Sequence, residues 1–310
     1  MSDTDNRGVI NMGSGTVSIS NTAVGDNATV NVLGRQPTET QTAGSPEPSW
    51  DIGVITVLSE ETSAVTAVLK RSGGYHKRTH PTGIRFHESR IIAAGLPVTI
   101  VAVQALDLGQ RPVIVAFESL RRYYSPRVVA LVGIGGGIHS SVALGDVVVA
   151  QEVIYYDMRK ETPEGVRRRG QSQPVPAVIR RALNNFFSDH NEPFVIEDSD
   201  PDGMLREYRV YRGPIGSGEA VVADSRSAIR DYLASYNDKV LALETEAGGL
   251  SHAFYEAAAD SGLVGGWLAI RGISDHADSS KDDTQHGIAS WHAAAVFERL
   301  LPYLRLNDHI

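Results

Sequence analysis

Three acidic residues follow predicted strands at the end of a sheet where ligands bind. Glu61 comes just after the strand DIGVITV, Glu246 after KVLAL and Asp275 after GGWLAIRGI. In open α/β sheets the ligand lies beyond the carboxyl ends of the strands, so we expect these side chains to converge. Carboxylates can act as general acids, general bases and partners for a developing positive charge. The pattern therefore predicts a functional site at this edge of the sheet.

A glycine-rich stretch ends another predicted strand at the same edge. Residues 132–150, VGIGGGIHSSVALGDVVVA, are not a P-loop, because they contain no lysine. The dinucleotide pattern G-x-G-x-x-G also fails, because Ile138 takes the third glycine position and a turn and strand follow instead of a helix. Successive glycines remove every Cβ, so we predict that this backbone lies very close to other groups.

Apolar strand patterns alternate with helical patterns from Asp51 onward. RVVALVGIGGG is typical of a buried strand, and RPVIVAFESLRRYY has helical spacing. Ser59 is the expected N-cap of the first helix, EETSAVTAVLKR. The predicted fold is α/β: a single-domain three-layer sandwich with a mixed, mostly parallel central sheet.

Composition excludes several classes of protein. The chain has 310 residues, 42% of them hydrophobic, which is enough for a full core. A net charge of −8 argues against nucleic-acid binding, and the absence of cysteine excludes disulfides and thiolate zinc sites. No apolar run approaches the roughly 20 residues that span a bilayer, and no signal peptide is recognisable. We expect a cytoplasmic protein without a membrane partner.

The segment before the predicted domain has a different composition. Residues 1–49 contain no Phe, Trp, Tyr or Lys, and residues 35–49 are typical of a disordered linker. Within residues 1–34, TVSI recurs thirteen residues later as TVNV, so the segment is β-prone. It is either a floppy tail or a motif for self-assembly or recruitment of a protein partner. The repeat resembles amyloid-type signalling motifs that precede bacterial effector domains. The predicted catalytic domain spans residues 50–310.

From Asp51 to about Leu304 the chain resembles the purine nucleoside phosphorylase/uridine phosphorylase superfamily, and within it the methylthioadenosine/S-adenosylhomocysteine nucleosidase branch. The matching motifs are VLSEE, VGIGGGI with LGDVVV, GSGEAVV, ETEA and RGISDHAD, in the family's order. The resemblance implies cleavage of a purine N-glycosidic bond, with no metal or cofactor. It implies that Asp275 protonates N7 of the base, Glu61 orients or activates water, and Glu246 binds the ribose.

The same resemblance implies further contacts with the substrate. Val221 and Val222 fall where the family stacks on the base and binds it through the backbone, although the family's aromatic residue is absent at Val221. The other expected substrate-binding residues in these motifs are Gly135, Gly136, Glu244, Thr245 and Ser274.

Two positions favour hydrolysis over phosphorolysis. Phosphorylases of the superfamily carry a serine after the first glycine, and often an arginine three residues before that serine, to hold phosphate. Here these positions are Ile134 and Leu131, whose side chains donate no hydrogen bond.

A basic segment follows a strand that borders the predicted site. Residues 155–170 place Arg159, Lys160, Arg167, Arg168 and Arg169 in one predicted loop. It is either a solvated loop or a site for a 5′-phosphorylated nucleotide, because guanidinium groups bind phosphate bidentately. It resembles basic insertions in superfamily members that act as bacterial defence effectors and cleave nucleotides, including ATP.

Three histidines near Asp275 are predicted to be structural or surface residues. His276, His286 and His292 lack the tight spacing of helical zinc ligands.

The sequence therefore predicts hydrolysis of an adenine nucleoside or nucleotide, including ATP, by a nucleotide-depleting defence effector. The alternatives are a housekeeping methylthioadenosine/S-adenosylhomocysteine nucleosidase, a phosphorylase, or a non-catalytic nucleoside-binding assembly module. Retention of all three carboxylates argues against the last, because a binder needs no general acid. We expect a homo-oligomer that binds a small purine nucleoside or nucleotide and no nucleic acid.

Overall fold

The structure is a computed structural model that describes residues 50–261, 265–280 and 283–304. The predicted repeat and linker, residues 1–49, lie outside the described residues.

The described residues form thirteen strands and six helices. The strands are β1 (Ile52–Thr56), β2 (His76–Thr79), β3 (Arg85–Ala93), β4 (Leu96–Gln104), β5 (Val128–Gly137), β6 (Val147–Tyr155), β7 (Arg159–Thr162), β8 (Gly165–Arg168), β9 (Gln171–Pro174), β10 (Phe194–Ser199), β11 (Leu205–Ser217), β12 (Ala242–Glu244) and β13 (Gly266–Asp275). The helices are α1 (Ser59–Lys70), α2 (Gln110–Tyr124), α3 (Ala177–His190), α4 (Ala228–Tyr236), α5 (Ala247–Ser261) and α6 (His286–Leu304).

A mixed central sheet organises the fold. Its strand order is β10-β11-β6-β13-β5-β1-β4-β3-β2, with β12 against β11 and β5, and β9 against β6. Strands β13, β5, β1 and β4 run parallel in the middle, while β3, β2 and β10 pair antiparallel at the two edges. The expected mixed sheet is confirmed, and the parallel strands in its middle direct their carboxyl ends to one edge.

Helices cover both faces of the sheet. Helix α6 packs against α1 and α3, and α2 packs against α5. Helix α2 packs in this way because one of its faces is apolar. The buried residues on that face are Val113, Ala116, Phe117 and Leu120. Strand β1 is buried along its whole length, as a strand covered on both faces must be. None of the described helices is both long and apolar enough to cross a membrane.

Two local predictions are wrong. Ser59 is the first residue of α1, and the N-cap is Leu58. The Leu58 backbone N–H donates to Glu61 Oε2 at 3.0 Å, so a glutamate in the first turn satisfies the amide that precedes the helix. The arginine-rich segment is a β-hairpin, β7–β8, and not an irregular loop, because two residues, Pro163 and Glu164, suffice to connect the paired strands.

Candidate active site

The three carboxylates predicted from the strand ends line one cavity of about 340 Å³. Glu61 comes from the first turn of α1, Glu246 from the connection between β12 and α5, and Asp275 from the end of β13. Their exposed fractions are only 3%, 4% and 4%. The fold therefore brings together acids more than 200 positions apart along the chain, with little access of solvent to them.

The glycine-rich end of β5 makes room for these acids. A Cβ on Gly133 would overlap Glu61 Oε1 and lie 2.6 Å from Nη1 of Arg271. A Cβ on Gly136 would lie 2.9 Å from Asp275 Oδ1. The predicted close approach of this backbone is confirmed, and the groups that it approaches are side chains of the protein's own site.

Glu61 is held by backbone amides on two sides. Oε2 accepts from the N–H groups of Val57 at 2.7 Å and Leu58 at 3.0 Å, and Oε1 accepts from Ile134 N–H at 2.9 Å. Burial raises the pKa of Glu61, and this outweighs the lowering by Arg271 and by the three amides. A general base is most effective when its pKa lies near the working pH, so a raised pKa suits a carboxylate to that role.

Arg271 lies beneath the site, and the sequence reasoning missed it. Its side chain is fully buried in β13, where Nη2 donates to Glu246 Oε2 at 3.1 Å and also to Glu244. Burial acts to lower the pKa of Arg271, but the carboxylates of Glu244, Glu246 and Glu61 outweigh it and the net shift is upward. The available signal was a single cation inside the apolar run GGWLAIRGI. Such a residue persists in a core only when it is paired.

Glu244 and Glu246 differ in their surroundings although they lie two residues apart. Glu244 accepts from the N–H groups of Glu246 at 3.0 Å and Ala247 at 2.9 Å, so it caps the start of α5. Burial raises the pKa of Glu244, Arg271 opposes that shift, and Glu246 adds to it. Glu246 Oε1 accepts from Gly109 N–H at 3.1 Å, which fixes this carboxylate against the start of α2.

Asp275 is fixed by its immediate neighbours. Ser274 Oγ donates to Oδ2 at 2.9 Å, and the backbone N–H of Ala277 donates to Oδ1 at 2.8 Å. Ala277 adopts the left-handed conformation, with φ of 52°. A sharp turn directly after β13 therefore sets the orientation of this carboxyl group.

The predicted substrate-binding residues of the family motifs line the same cavity: Gly135, Gly136, Val221, Val222, Glu244, Thr245 and Ser274. Val221 is 63% exposed, whereas Val222 is buried. Three further lining residues lie outside the strand-end motifs: Leu108 and Asp283, which were not predicted, and His286, which was expected to be a structural or surface residue.

The two histidines of α6 have different environments. His286, which lines the cavity, has Nε2 3.3 Å from Asp283 Oδ1. His292 is buried away from the cavity, with Nδ1 2.7 Å from the Gly145 carbonyl oxygen and its ring stacked on Tyr208.

The arginine hairpin lies outside the lining of the cavity. Arg159 Nε is 2.9 Å from Glu161, Arg167 is 3.7 Å from Glu164, and Arg168 donates to the Tyr156 carbonyl at 3.0 Å. Arg169 contributes a backbone hydrogen bond to Met158 at the base of the hairpin. Thus the fold gathers the carboxylates and glycines but does not place these four arginines among them.

The hairpin is nevertheless joined to the rim of the cavity. Asp157, 3.6 Å from Arg168, accepts a hydrogen bond from the backbone N–H of Glu219. Glu219 begins the short segment that leads to Val221 on the cavity wall.

Comparison with known proteins places the chain in a family. Residues 51–302 match the model of the phosphorylase superfamily. The ATP nucleosidase Cap17 of Escherichia coli (strain KTE188) is 26% identical over 261 residues, which cover 78% of this chain and 49% of that protein. The chain therefore spans about half the length of the Cap17 relatives that it matches.

Two nucleosidases match over nearly their whole length. The 5′-methylthioadenosine/S-adenosylhomocysteine nucleosidase of Mycobacterium tuberculosis (strain CDC 1551 / Oshkosh) is 24% identical, over 82% of this chain and 97% of that protein. The solved structure of the enzyme of the same name from S. pneumoniae, with a transition-state inhibitor, has a TM-score of 0.63 and 18% identity, and covers 83% of this chain and 100% of that one. This structural likeness shows the shared fold.

Proposed function

This chain belongs to the phosphorylase superfamily, and we propose that it hydrolyses the N-glycosidic bond of a purine nucleoside or nucleotide, with adenine as the base and ATP among its substrates. One observation carries the proposal: Glu61, Glu246 and Asp275, all three buried, line one cavity. The relative named ATP nucleosidase supports a nucleotide substrate, and the relatives named methylthioadenosine/S-adenosylhomocysteine nucleosidase support adenine as the base.

Each of the three carboxyl groups has a separate role in the proposed reaction. Asp275 donates a proton to N7, so that the bond between C1′ and N9 breaks and the base leaves as a neutral molecule. Glu246 accepts hydrogen bonds from the ribose hydroxyls and stabilises the positive charge that develops on the sugar. Glu61 takes a proton from the water whose oxygen forms the new bond to C1′.

The lining of the cavity supports hydrolysis over phosphorolysis. Ile134 presents an apolar side chain there, and its backbone N–H is already bound to Glu61 at 2.9 Å. Leu131 is fully buried in the core. Within the described part of the chain no Lys or Arg lines this cavity, and Arg271 beneath it is engaged with carboxylates. A phosphate ion would therefore meet acids without a matching cation.

For a nucleotide substrate, the 5′ phosphates require cations that the cavity wall does not supply. The wall carries Asp283 in addition to the catalytic acids. We assign phosphate binding to the hairpin arginines Arg159, Arg167, Arg168 and Arg169, which belong to an element joined to the rim. Guanidinium groups match phosphate oxygens bidentately, which favours this assignment.

A second candidate function is that of a methylthioadenosine/S-adenosylhomocysteine nucleosidase. Its support is the match to the mycobacterial relative over 97% of that protein, together with the apolar residues Leu108 and Val221 on the cavity wall. An uncharged 5′ substituent would pack on such residues, since burial of apolar surface is favourable.

The biological role that we propose is nucleotide depletion by a defence effector, in which residues 1–34 assemble the chain or recruit a partner. The support is the similarity to Cap17 and the β-prone repeat of the sequence. In this proposal, assembly through residues 1–34 brings many catalytic domains together, and this assembly starts nucleotide cleavage.

The function is tested with a panel of substrates. Full-length protein is incubated with ATP, AMP, adenosine and methylthioadenosine, with and without phosphate, and free adenine is quantified. We expect adenine release from ATP without phosphate, and a loss of about 10²- to 10⁴-fold in Asp275→Asn, which keeps the shape but cannot deliver the proton. Release from methylthioadenosine alone would select the second candidate, and a strict requirement for phosphate would refute hydrolysis.

A further inference from the structure

Arg230 of α4 binds the backbone of the turn that follows Asp275. Its Nη1 donates to the carbonyl oxygens of His276 at 2.5 Å and Ala277 at 3.3 Å, and its Nη2 donates to that of Ile138 at 3.4 Å. Arg230 does not line the substrate cavity but a separate one of about 220 Å³. One guanidinium thus ties the end of the glycine-rich strand to the turn after β13.

That turn needs such support because its backbone is strained. Ala277 has φ of 52°, a conformation that residues with a Cβ rarely adopt and that persists only where the surroundings determine it. Room for the turn comes from Gly136, since a Cβ there would lie 2.9 Å from that of Ala277. The N–H of Ala277 belongs to the same planar peptide group as the His276 carbonyl that Arg230 binds, and it donates to Asp275 Oδ1 at 2.8 Å.

We infer that Arg230 is a positioning residue for the general acid, acting through the backbone of His276 and Ala277. The inference rests on the proposed function, which makes Asp275 the proton donor. Without Arg230, the peptide group between His276 and Ala277 is free to rotate as Ala277 relaxes to a right-handed conformation, which turns the Ala277 N–H away from Asp275 and releases one oxygen of its carboxyl group. A misplacement of about 1 Å in a reacting group costs on the order of 10²-fold in rate.

The test separates catalysis from binding. Arg230→Met removes the donors but keeps the length of the side chain, and we expect kcat to fall about 10- to 100-fold. The Kd of a purine C-nucleoside, whose glycosidic bond cannot be cleaved, should change less than about twofold, because Arg230 does not line the substrate cavity. Arg230→Lys retains a cation and should recover part of kcat. Arg226, 91% exposed and in the segment that precedes the same helix, is the matched control, and Arg226→Met should keep wild-type kcat.

A second measurement needs no substrate. Hydrogen exchange at the Ala277 amide should be faster in Arg230→Met than in wild type and in Arg226→Met, because its bond to Asp275 is weakened. Suppose that wild type releases base. If Arg230→Met then has the wild-type kcat, or if its kcat and its affinity for the C-nucleoside fall by the same factor, the positioning role is wrong while the proposed function stands. If wild type releases no base from any compound, the proposed function fails, and unchanged exchange at Ala277 would then also overturn the role of Arg230.

Discussion

Replacing Gly133 by alanine should disable the site although no catalytic group is changed. A Cβ at this position would overlap Glu61 Oε1 and lie 2.6 Å from Arg271 Nη1, whereas real Cβ contacts stay beyond 3.0 Å. Both side chains are buried, and Arg271 does not line the cavity, so it has no neighbouring space to move into. Glu61 is held by three backbone amides and Arg271 by two carboxylates, so the clash must displace hydrogen-bonded groups.

The cost follows from the bonds that Glu61 would lose. The bond from Ile134 N–H to Oε1, the oxygen nearest the new Cβ, is the first to break. A hydrogen bond to a charged group contributes about 1.5–3 kcal/mol, so loss of one or two destabilises the fold by about 2–5 kcal/mol. At about 2–4 °C per kcal/mol for a domain of this size, Tm should fall by roughly 4–20 °C. A general base displaced by about 1 Å should lower kcat/KM by about 10²-fold.

The measurements are thermal unfolding and adenine release, with Gly74→Ala as the matched control. A Cβ on Gly74 meets nothing closer than 3.7 Å, so that variant should stay within about 0.5 kcal/mol of wild type. If Gly133→Ala unfolds within about 2 °C of wild type and keeps its kcat/KM, the glycine is not there to make room for Glu61, and the reasoning about this strand is wrong.

Three further predictions address the base, the hairpin and the tail. Burial raises the pKa of Glu61, and a general base must be ionised to accept a proton. We therefore expect kcat/KM to fall as the pH is lowered through that raised pKa. A fall of kcat/KM only at the ordinary glutamate pKa of about 4.3 would contradict this role. Alanine at Arg167, Arg168 and Arg169 should raise KM for ATP at least about tenfold and leave KM for adenosine nearly unchanged, whereas equal effects would indicate a merely solvated hairpin. Deleting residues 1–49 should leave a soluble, active domain that no longer assembles with rising concentration in light scattering. The substitution Val30→Asp in the full-length chain should also abolish this assembly. Identical sizes of the full-length, truncated and Val30→Asp proteins under every condition would contradict an assembly motif.

The positions of the acids could be predicted because they depend on local sequence and one rule of topology. Each of Glu61, Glu246 and Asp275 follows a strand pattern that is readable within ten residues, and parallel strands direct their carboxyl ends to one edge. The glycines of β5 were readable for a similar reason, since glycine in succession indicates close approach of the backbone.

What the sequence did not reveal depends on contacts between distant residues. Gly109 and Glu246 are 137 positions apart, and no local pattern predicts that the start of α2 binds this carboxylate. The N-cap of α1 was misplaced by one residue, because the side chain of Glu61 binds the amide of Leu58 from within the first turn and a buried glutamate was not considered in that role. Glu244 lines the cavity where it was expected, and its oxygens also bind the start of α5 and Arg271, a pairing visible only once β12 and β13 are placed.

The balance of buried charge supports the cationic transition state and the neutral nucleophile of the proposed function. Arg271 is one cation beneath three acids, Glu61, Glu244 and Glu246, and Asp275 lies on the same cavity. The pKa values of Glu61 and Glu244 are raised despite their contacts with Arg271, which indicates that one guanidinium does not compensate the burial of these carboxylates. Positive charge that develops on the ribose during cleavage would therefore be stabilised strongly in this low-dielectric space. A phosphate ion entering the same space would be repelled, whereas water carries no charge and meets no such barrier. The same excess of acids that favours breaking the glycosidic bond thus favours water as the nucleophile. It also requires that the cations for any 5′ phosphates come from outside the cavity wall, where the arginines of β7 and β8 lie.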